Sequence, residues 1–171
     1  MINTTVAEAL NNQIQAEFYS AYLYLAMSAN FEHRNLRGFA NWMRVQFQEE
    51  QMHALRLYDY LIARGGQVRL QAIDAPPADW DTPEAAFAAV LEHERHVSAL
   101  INKLVDLAVK QSDHATTAAL QWFVNEQVEE EATAEQLLEE VLLVRDNPGG
   151  LFMIDRELAG RTFNPPPAAG A

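Results

Sequence analysis

Cysteine is absent from all 171 residues, which excludes disulfides, thiolate metal sites and cysteine nucleophiles. Basic residues are scarce: 12 Lys and Arg stand against 24 Asp and Glu, giving a net charge of −12. Phosphate binding needs concentrated Lys and Arg, so nucleic acid is not expected as a partner. The carboxylate surplus is instead compatible with drawing in cations. No apolar run approaches transmembrane length, and the opening "MINTTVAEAL" has no basic segment leading into an apolar one. No membrane is expected, and the expected location is cytoplasmic. What the chain does have is apolar content, 49% of residues, enough for one domain with one substantial core.

Helical periodicity runs through four long segments and one short one. The first covers residues 5–32, opened by Thr5 and Glu8 at capping-box spacing. The second covers 36–64, after Asn35 as cap, and stops at Gly65-Gly66. The stretch "GGQVRLQAIDAPPADWDTP" has no helical period, and only "QVRLQAI" within it alternates like a strand. The third helix starts with Thr82 as cap and Pro83 in the first turn, and continues to about residue 111. The fourth runs from about 113 to 146 and stops at "NPGG". The short "LFMIDREL" must dock on something to be stable. The expectation is a single all-α domain: a four-helix bundle over 1–146, a short fifth helix within 147–161 and a mobile tail over 162–171. The crossover, about 65–81, is about 17 residues and reaches about 55 Å when extended. A helix of about 29 residues is about 43 Å long. The crossover can therefore travel the length of the bundle and set helices two and three parallel.

Each helix carries an apolar seam, and each seam contains one glutamate. The four seams read Leu10, Ile14, Glu17, Ala21, Tyr24; Met43, Phe47, Glu50, Ala54, Leu57, Leu61; Phe87, Leu91, Glu94, Ser98, Ile101, Val105; and Phe123, Gln127, Glu130, Ala134, Leu137, Val141. All four glutamates lie near mid-helix, so packing brings them to one level. Four ionised carboxylates in a core cost several kcal/mol each unless paired. No seam holds a Lys or Arg to pair them. Protonation relieves part of the charge; two divalent cations relieve it more completely, with His53 beside Glu50 as a nitrogen ligand. Glutamate oxygens with one imidazole suit Fe, Mn or Zn, and spacing does not choose among these. Glu49, Glu126 and Glu129 lie off the seams, where solvated carboxylates are usual. Tyr24 reads as a core tyrosine. His93 and His96 in "EHERH" stand three apart but away from the seam of Glu94, on an expected solvated face.

The set formed by Glu17, "EEQMH", Glu94 and "NEQVEEE" resembles the bacterial non-haem ferritins over nearly the whole chain, long crossover and short fifth helix included. That resemblance implies a ferritin-like bundle, a 24-subunit homo-oligomeric shell, oxidation of Fe(II) by dioxygen and storage of ferric oxide mineral inside. It implies that Glu17, Glu50 and His53 bind one iron, that Glu50 bridges to a second, and that Glu94 and Glu130 complete the second. Gln127 is then close to the second iron, and Tyr24 beside the centre. Glu49, Glu126 and Glu129, with Glu130 shared, resemble a third iron site. Two departures stand out. Many di-iron bundles repeat Glu-x-x-His on the fourth helix, whereas this chain has Gln127 and Glu130 there. Bacterioferritins place a haem-binding methionine directly after the bridging glutamate; here Gln51 follows Glu50 and Met52 is displaced by about 100° of helix, so haem is not expected. A di-metal oxidase or oxygenase acting on an organic substrate is the alternative, and it needs a substrate pocket.

Overall fold

The protein, described by a computed structural model over residues 2–165, forms five α-helices: α1 (Thr4–His33), α2 (Arg37–Ala63), α3 (Pro83–Lys110), α4 (His114–Val144) and α5 (Pro148–Leu158). No strand occurs among the described residues, and "QVRLQAI" is irregular chain. Of the expected tail, 166–171 lie outside the described residues, and Phe163 is half-buried.

The first three helices stop in the same way. Asn35 (φ 59°), Gly65 (φ 71°) and Ser112 (φ 54°) turn left-handed, and the next amide reaches back five residues. Leu36 N–H donates to Phe31 O at 3.0 Å, Gly66 to Leu61 at 2.9 Å and Asp113 to Ala108 at 2.9 Å. This geometry satisfies carbonyls that a helix end leaves open. Asn35, expected to cap α2, is thus the stop of α1; asparagine tolerates the left-handed region better than most residues. The α1 cap is likewise not Thr5 but Asn3, whose Oδ1 accepts from Thr5 N–H at 2.8 Å. Thr82 and Asp113 cap α3 and α4 through their side chains.

No local side chain caps α2. Its cap comes from α5: Asp155 Oδ1 accepts from Gly38 N–H at 2.8 Å and from Phe39 N–H at 3.1 Å. The approach requires glycine, because a Cβ at position 38 would sit 1.5 Å from the Asp155 carbonyl oxygen. Asn41 Nδ2 donates to the carbonyls of Leu158 and Arg161 at 3.1 and 2.9 Å. An 11-residue helix that could not persist alone is held this way.

Hydrogen bonds along α1 trace the crossover. Asn11 Oδ1 accepts from Arg69 N–H (2.7 Å), Asn12 Oδ1 from Gln71 (2.7 Å), Gln15 donates to Ala72 O (3.3 Å), and Arg34 donates to Asp81 O (2.9 Å). The chain leaves α2 beside the start of α1, where Ile2 N–H meets Arg64 O at 3.3 Å. It delivers α3 to the other end of α1. Helix α3 then runs back until Gln111 meets Asn3 at 3.2 Å, so α2 and α3 are parallel, as the span argument requires.

Two apolar clusters fill the interior. One gathers Tyr24, Met27, Phe31, Phe39, Trp42, Met43, Phe87, Leu137 and Leu158; the other Leu10, Ile14, Leu57, Leu61, Ile101, Leu120 and Phe123. Between them lies the polar level of Glu17, Glu50, Glu94 and Glu130, all buried. The seam of α3 departs from expectation beyond Glu94: Val97, Leu104 and Ala108 are buried with Ile101, while Ser98 and Val105 are half-buried. A helix of 3.6 residues per turn drifts off a strict 3.5-residue repeat, and α3 has drifted.

Replacing Gly38 with Ala should undock α5 and remove the Asp155 cap, costing about 2–3 kcal/mol. Chemical denaturation should show a lower midpoint, and hydrogen exchange should be faster over residues 148–158.

Candidate metal centre

The heptad-like spacing that buries Glu50 places His53 one turn later on the same face of α2. His53 Nδ1 lies 3.4 Å from Glu50 Oε2 and 4.0 Å from Glu17 Oε2. One donor atom from each of the three falls within 4.8 Å of the others; His53 forms a second such cluster with Glu126 and Glu130. The imidazole stands edge-on to Trp122 and Phe123, at 5.3 and 6.1 Å between ring centroids, which fixes its plane. Glu17 Oε2, Glu50 Oε2 and His53 Nε2 are buried and have no hydrogen-bond partner. A buried polar atom left unpaired costs about 1–3 kcal/mol, and no Lys or Arg reaches these three. The donor set, carboxylate oxygen with imidazole nitrogen, fits a divalent first-row cation.

Glu94 and Glu130 are turned to protein partners. Glu94 accepts hydrogen bonds from the Tyr24 hydroxyl and, at 3.1 Å, from Gln127 Nε2. Glu130 Oε2 accepts from Gln46 Nε2 at 2.9 Å, and Glu17 Oε1 from Gln13 Nε2 at 2.8 Å. Gln13 and Gln46 were not singled out from the sequence. Their signal is spacing: each stands four residues before a seam glutamate, Glu17 or Glu50, and so shares its face. Gln46 reaches across to α4 rather than down its own helix.

The off-seam carboxylates are spread out. Glu49 pairs with Arg161 at 2.7 Å, Glu126 is half-buried beside His53, and Glu129 is exposed. His93 is not on a solvated face. It is half-buried against α1, its Nε2 2.8 Å from Ser20 Oγ and its ring against Tyr19 and Tyr24. One residue before Glu94 means about 100° of rotation, and that direction meets α1 rather than water. Burial, with His96 adding a like charge, lowers His93 to about 4.

The model of the ferritin-like domain matches residues 7–144. The chain belongs to the ferritin family. Bacterial non-heme ferritin of Bacteroides fragilis is 47% identical over 161 residues, covering 94% of this chain and all of the relative. That of Staphylococcus saprophyticus is 37% identical over 164 residues, covering 96% and 98%. Two solved forms of Archaeoglobus fulgidus ferritin, an engineered closed form and an open-pore form, are each 49% identical. They superpose with TM-scores of 0.95 and 0.94 over 96% and 95% of this chain and all of theirs. As a ferritin it is an iron-storage protein, and the Glu17–Glu50–His53 cluster can hold the metal.

The protons of this ferritin follow from the same burial. Desolvation, reinforced by Glu50, pushes Glu17 up to about 8. Desolvation, reinforced by Glu94, pushes Glu130 up to about 8. Glu50 is raised well above its ordinary range by burial and by the charges of Glu94 and Glu130. Burial also raises Glu94, against the lowering effect of its bonds from Tyr24 and Gln127. Tyr24 is raised by burial and by Glu94. Without metal Glu17, Glu50 and Glu130 hold protons, and a cation must displace them.

Their pKa values are higher folded than unfolded, so the native state binds more protons between about 4.5 and about 8. Stability is therefore largest at the acid end of that window and falls as pH rises through it. Thermal melts of metal-free protein should show this decline, and Glu17→Gln should flatten it. Saturating Zn(II) should reverse it, because metal binding strengthens as the carboxyls lose protons.

Proposed function

We propose that this ferritin is a ferroxidase: it oxidises Fe(II) with dioxygen at a paired-iron site and stores the ferric product as hydrated oxide within a hollow shell. The observation that carries this reading is the buried cluster of Glu17, Glu50 and His53, one donor atom from each within 4.8 Å of the others, with Glu17 Oε2 and Glu50 Oε2 left without hydrogen-bond partners. Glu17, Glu50 and His53 hold one ferrous ion, and Glu50 bridges to a second held by Glu94 and Glu130. Each ion surrenders one electron, so a pair reduces one dioxygen to the peroxide level; with two protons it leaves as hydrogen peroxide, and water hydrolyses the two Fe(III) ions to hydrated oxide with release of protons. Carboxylates favour Fe(III) over Fe(II), which lowers the potential of the pair and drives the transfer.

The hydrogen bonds now on Glu94 and Glu130 give those carboxylates protein partners until iron arrives. Rotation off Gln127 and Gln46 turns them inward as iron arrives, so that Gln127 lies close to the second ion. Tyr24 holds Glu94 through its hydroxyl and keeps its own proton. Glu49, Glu126, Glu129 and Glu130 form an accessory third iron site beside the pair. The shell is a homo-oligomer of 24 subunits in the cytoplasm. Leu55, Ile62, Leu143, Phe152 and Met153 are exposed large apolar residues on a single chain and support such assembly. Among the described residues, no helix is long and apolar enough to cross a membrane.

An oxygenase acting on an organic substrate would need a pocket opening on these carboxylates. A groove of about 850 Å³ is lined by Met52, Leu55, Phe123 and Phe163 among others, and by none of the carboxylates assigned to iron. Iron itself is the substrate.

Stopped-flow Fe(II) oxidation should show a fast phase that falls about 100-fold or more in Glu50→Ala and His53→Ala. Native mass should correspond to the shell in both variants and in the parent. A fast phase left intact in both variants would overturn the assignment.

A further inference from the structure

Among the described residues, Glu49 is the only member of the accessory quartet held in an ion pair with Lys or Arg. Arg161 Nη2 lies 2.7 Å from Glu49 Oε2, and the two side chains are 26% and 21% exposed. The pair is assembled by the fold. Asp155 and Asn41 dock α5 and the residues after it on the start of α2, and Asn41 Nδ2 fixes the Arg161 carbonyl at 2.9 Å. The guanidinium then lies over the Trp42 ring, 4.8 Å from its centroid. Trp42 and Glu49 are seven residues apart on α2, two turns along one face, so a side chain laid over the first ends at the second.

The consequence is visible in the donor clusters. Glu126 and Glu130 come within coordinating reach of a common point with His53, and Glu49 belongs to neither cluster. Its carboxylate is turned to the guanidinium instead. We propose that Arg161 is a tethered counter-ion that competes with iron for Glu49, weakening the accessory site until an incoming ion drives the guanidinium off the carboxylate. This rests on the accessory-site reading given above.

The contact is built to be released. Arg161 engages Glu49 through one nitrogen only, and Nη1, though buried, has no partner. A two-pronged fork would be the harder contact to break. When Glu49 turns inward, the guanidinium keeps its place over Trp42, where a cation is favoured on the ring face. The backbone bond from Asn41 survives, so α5 need not undock. Arg161 is therefore a positioning residue, and its effect is an order of filling: the paired-iron site first, the accessory site only when iron is plentiful.

Full-length, metal-free protein titrated calorimetrically with Zn(II), which dioxygen does not oxidise, tests this. The parent should bind two ions tightly and a third weakly; Arg161→Gln should tighten the third by about tenfold and leave the first two unchanged. Arg161→Lys, which keeps the charge but loses the planar stack, should fall between. A crystal structure of the Zn(II)-loaded parent decides the matter independently of any variant, and should show Zn(II) on Glu49 with Arg161 turned away. A third ion of equal affinity in parent and Arg161→Gln, or Zn(II) on Glu49 with the ion pair retained, overturns the proposal and leaves the accessory site standing. No third ion in any of the proteins overturns the accessory site, and the proposal with it.

Discussion

Everything in this bundle is arranged around one unfavourable placement: four glutamates at one level of a dry interior, with no Lys or Arg among them. Such a layer cannot stay charged unaided, and the fold meets the cost in two ways. Protons stay on the carboxyls, with Glu17 and Glu130 raised to about 8. Neutral amides, Gln13, Gln46 and Gln127, take up oxygens that would otherwise be bare. No amide reaches Glu17 Oε2, Glu50 Oε2 or His53 Nε2. The layer survives because an apolar cluster on each side, one rich in aromatic rings, contributes enough burial to carry it.

The arrangement separates what stabilises the chain from what gives it chemistry. Phe31, Phe39, Trp42 and Phe87 pack ring on ring between the polar level and one end of the bundle. The second cluster does the same toward the other end with aliphatic residues. The carboxylates between them are therefore positioned by helices fixed above and below, and can change partners without loosening those helices. Glutamate, with its extra methylene, has the reach for this.

The sequence made the polar level legible because the signal repeats: an isolated seam glutamate says little, but four at matching heights leave few readings. The crossover was legible from length alone, since about 17 residues are more than a tight turn needs. The caps were not. Asn35 and Thr5 both sit where a helix begins, yet Asn3 takes one cap and a residue more than a hundred positions away takes the other. Local spacing cannot report a partner brought by tertiary docking. The setting of His93 is not legible locally for a related reason: whether a residue beside a seam meets water or a neighbouring helix depends on the rotation of α3, which drifts over its length. The Arg161 pair was invisible too, because nothing near Glu49 in sequence is basic and within reach.

The cap on α2 has a bearing on how the chain comes to be folded in time. Asp155 is 117 residues downstream of the amide it satisfies, so the second helix begins with exposed N–H groups while the ribosome is still adding the third and fourth. Only after α3 and α4 have been made does α5 arrive to close that end. The fifth helix thus acts as a latch on the second, and a nascent chain cut short before it would leave the aromatic end of the bundle unsealed.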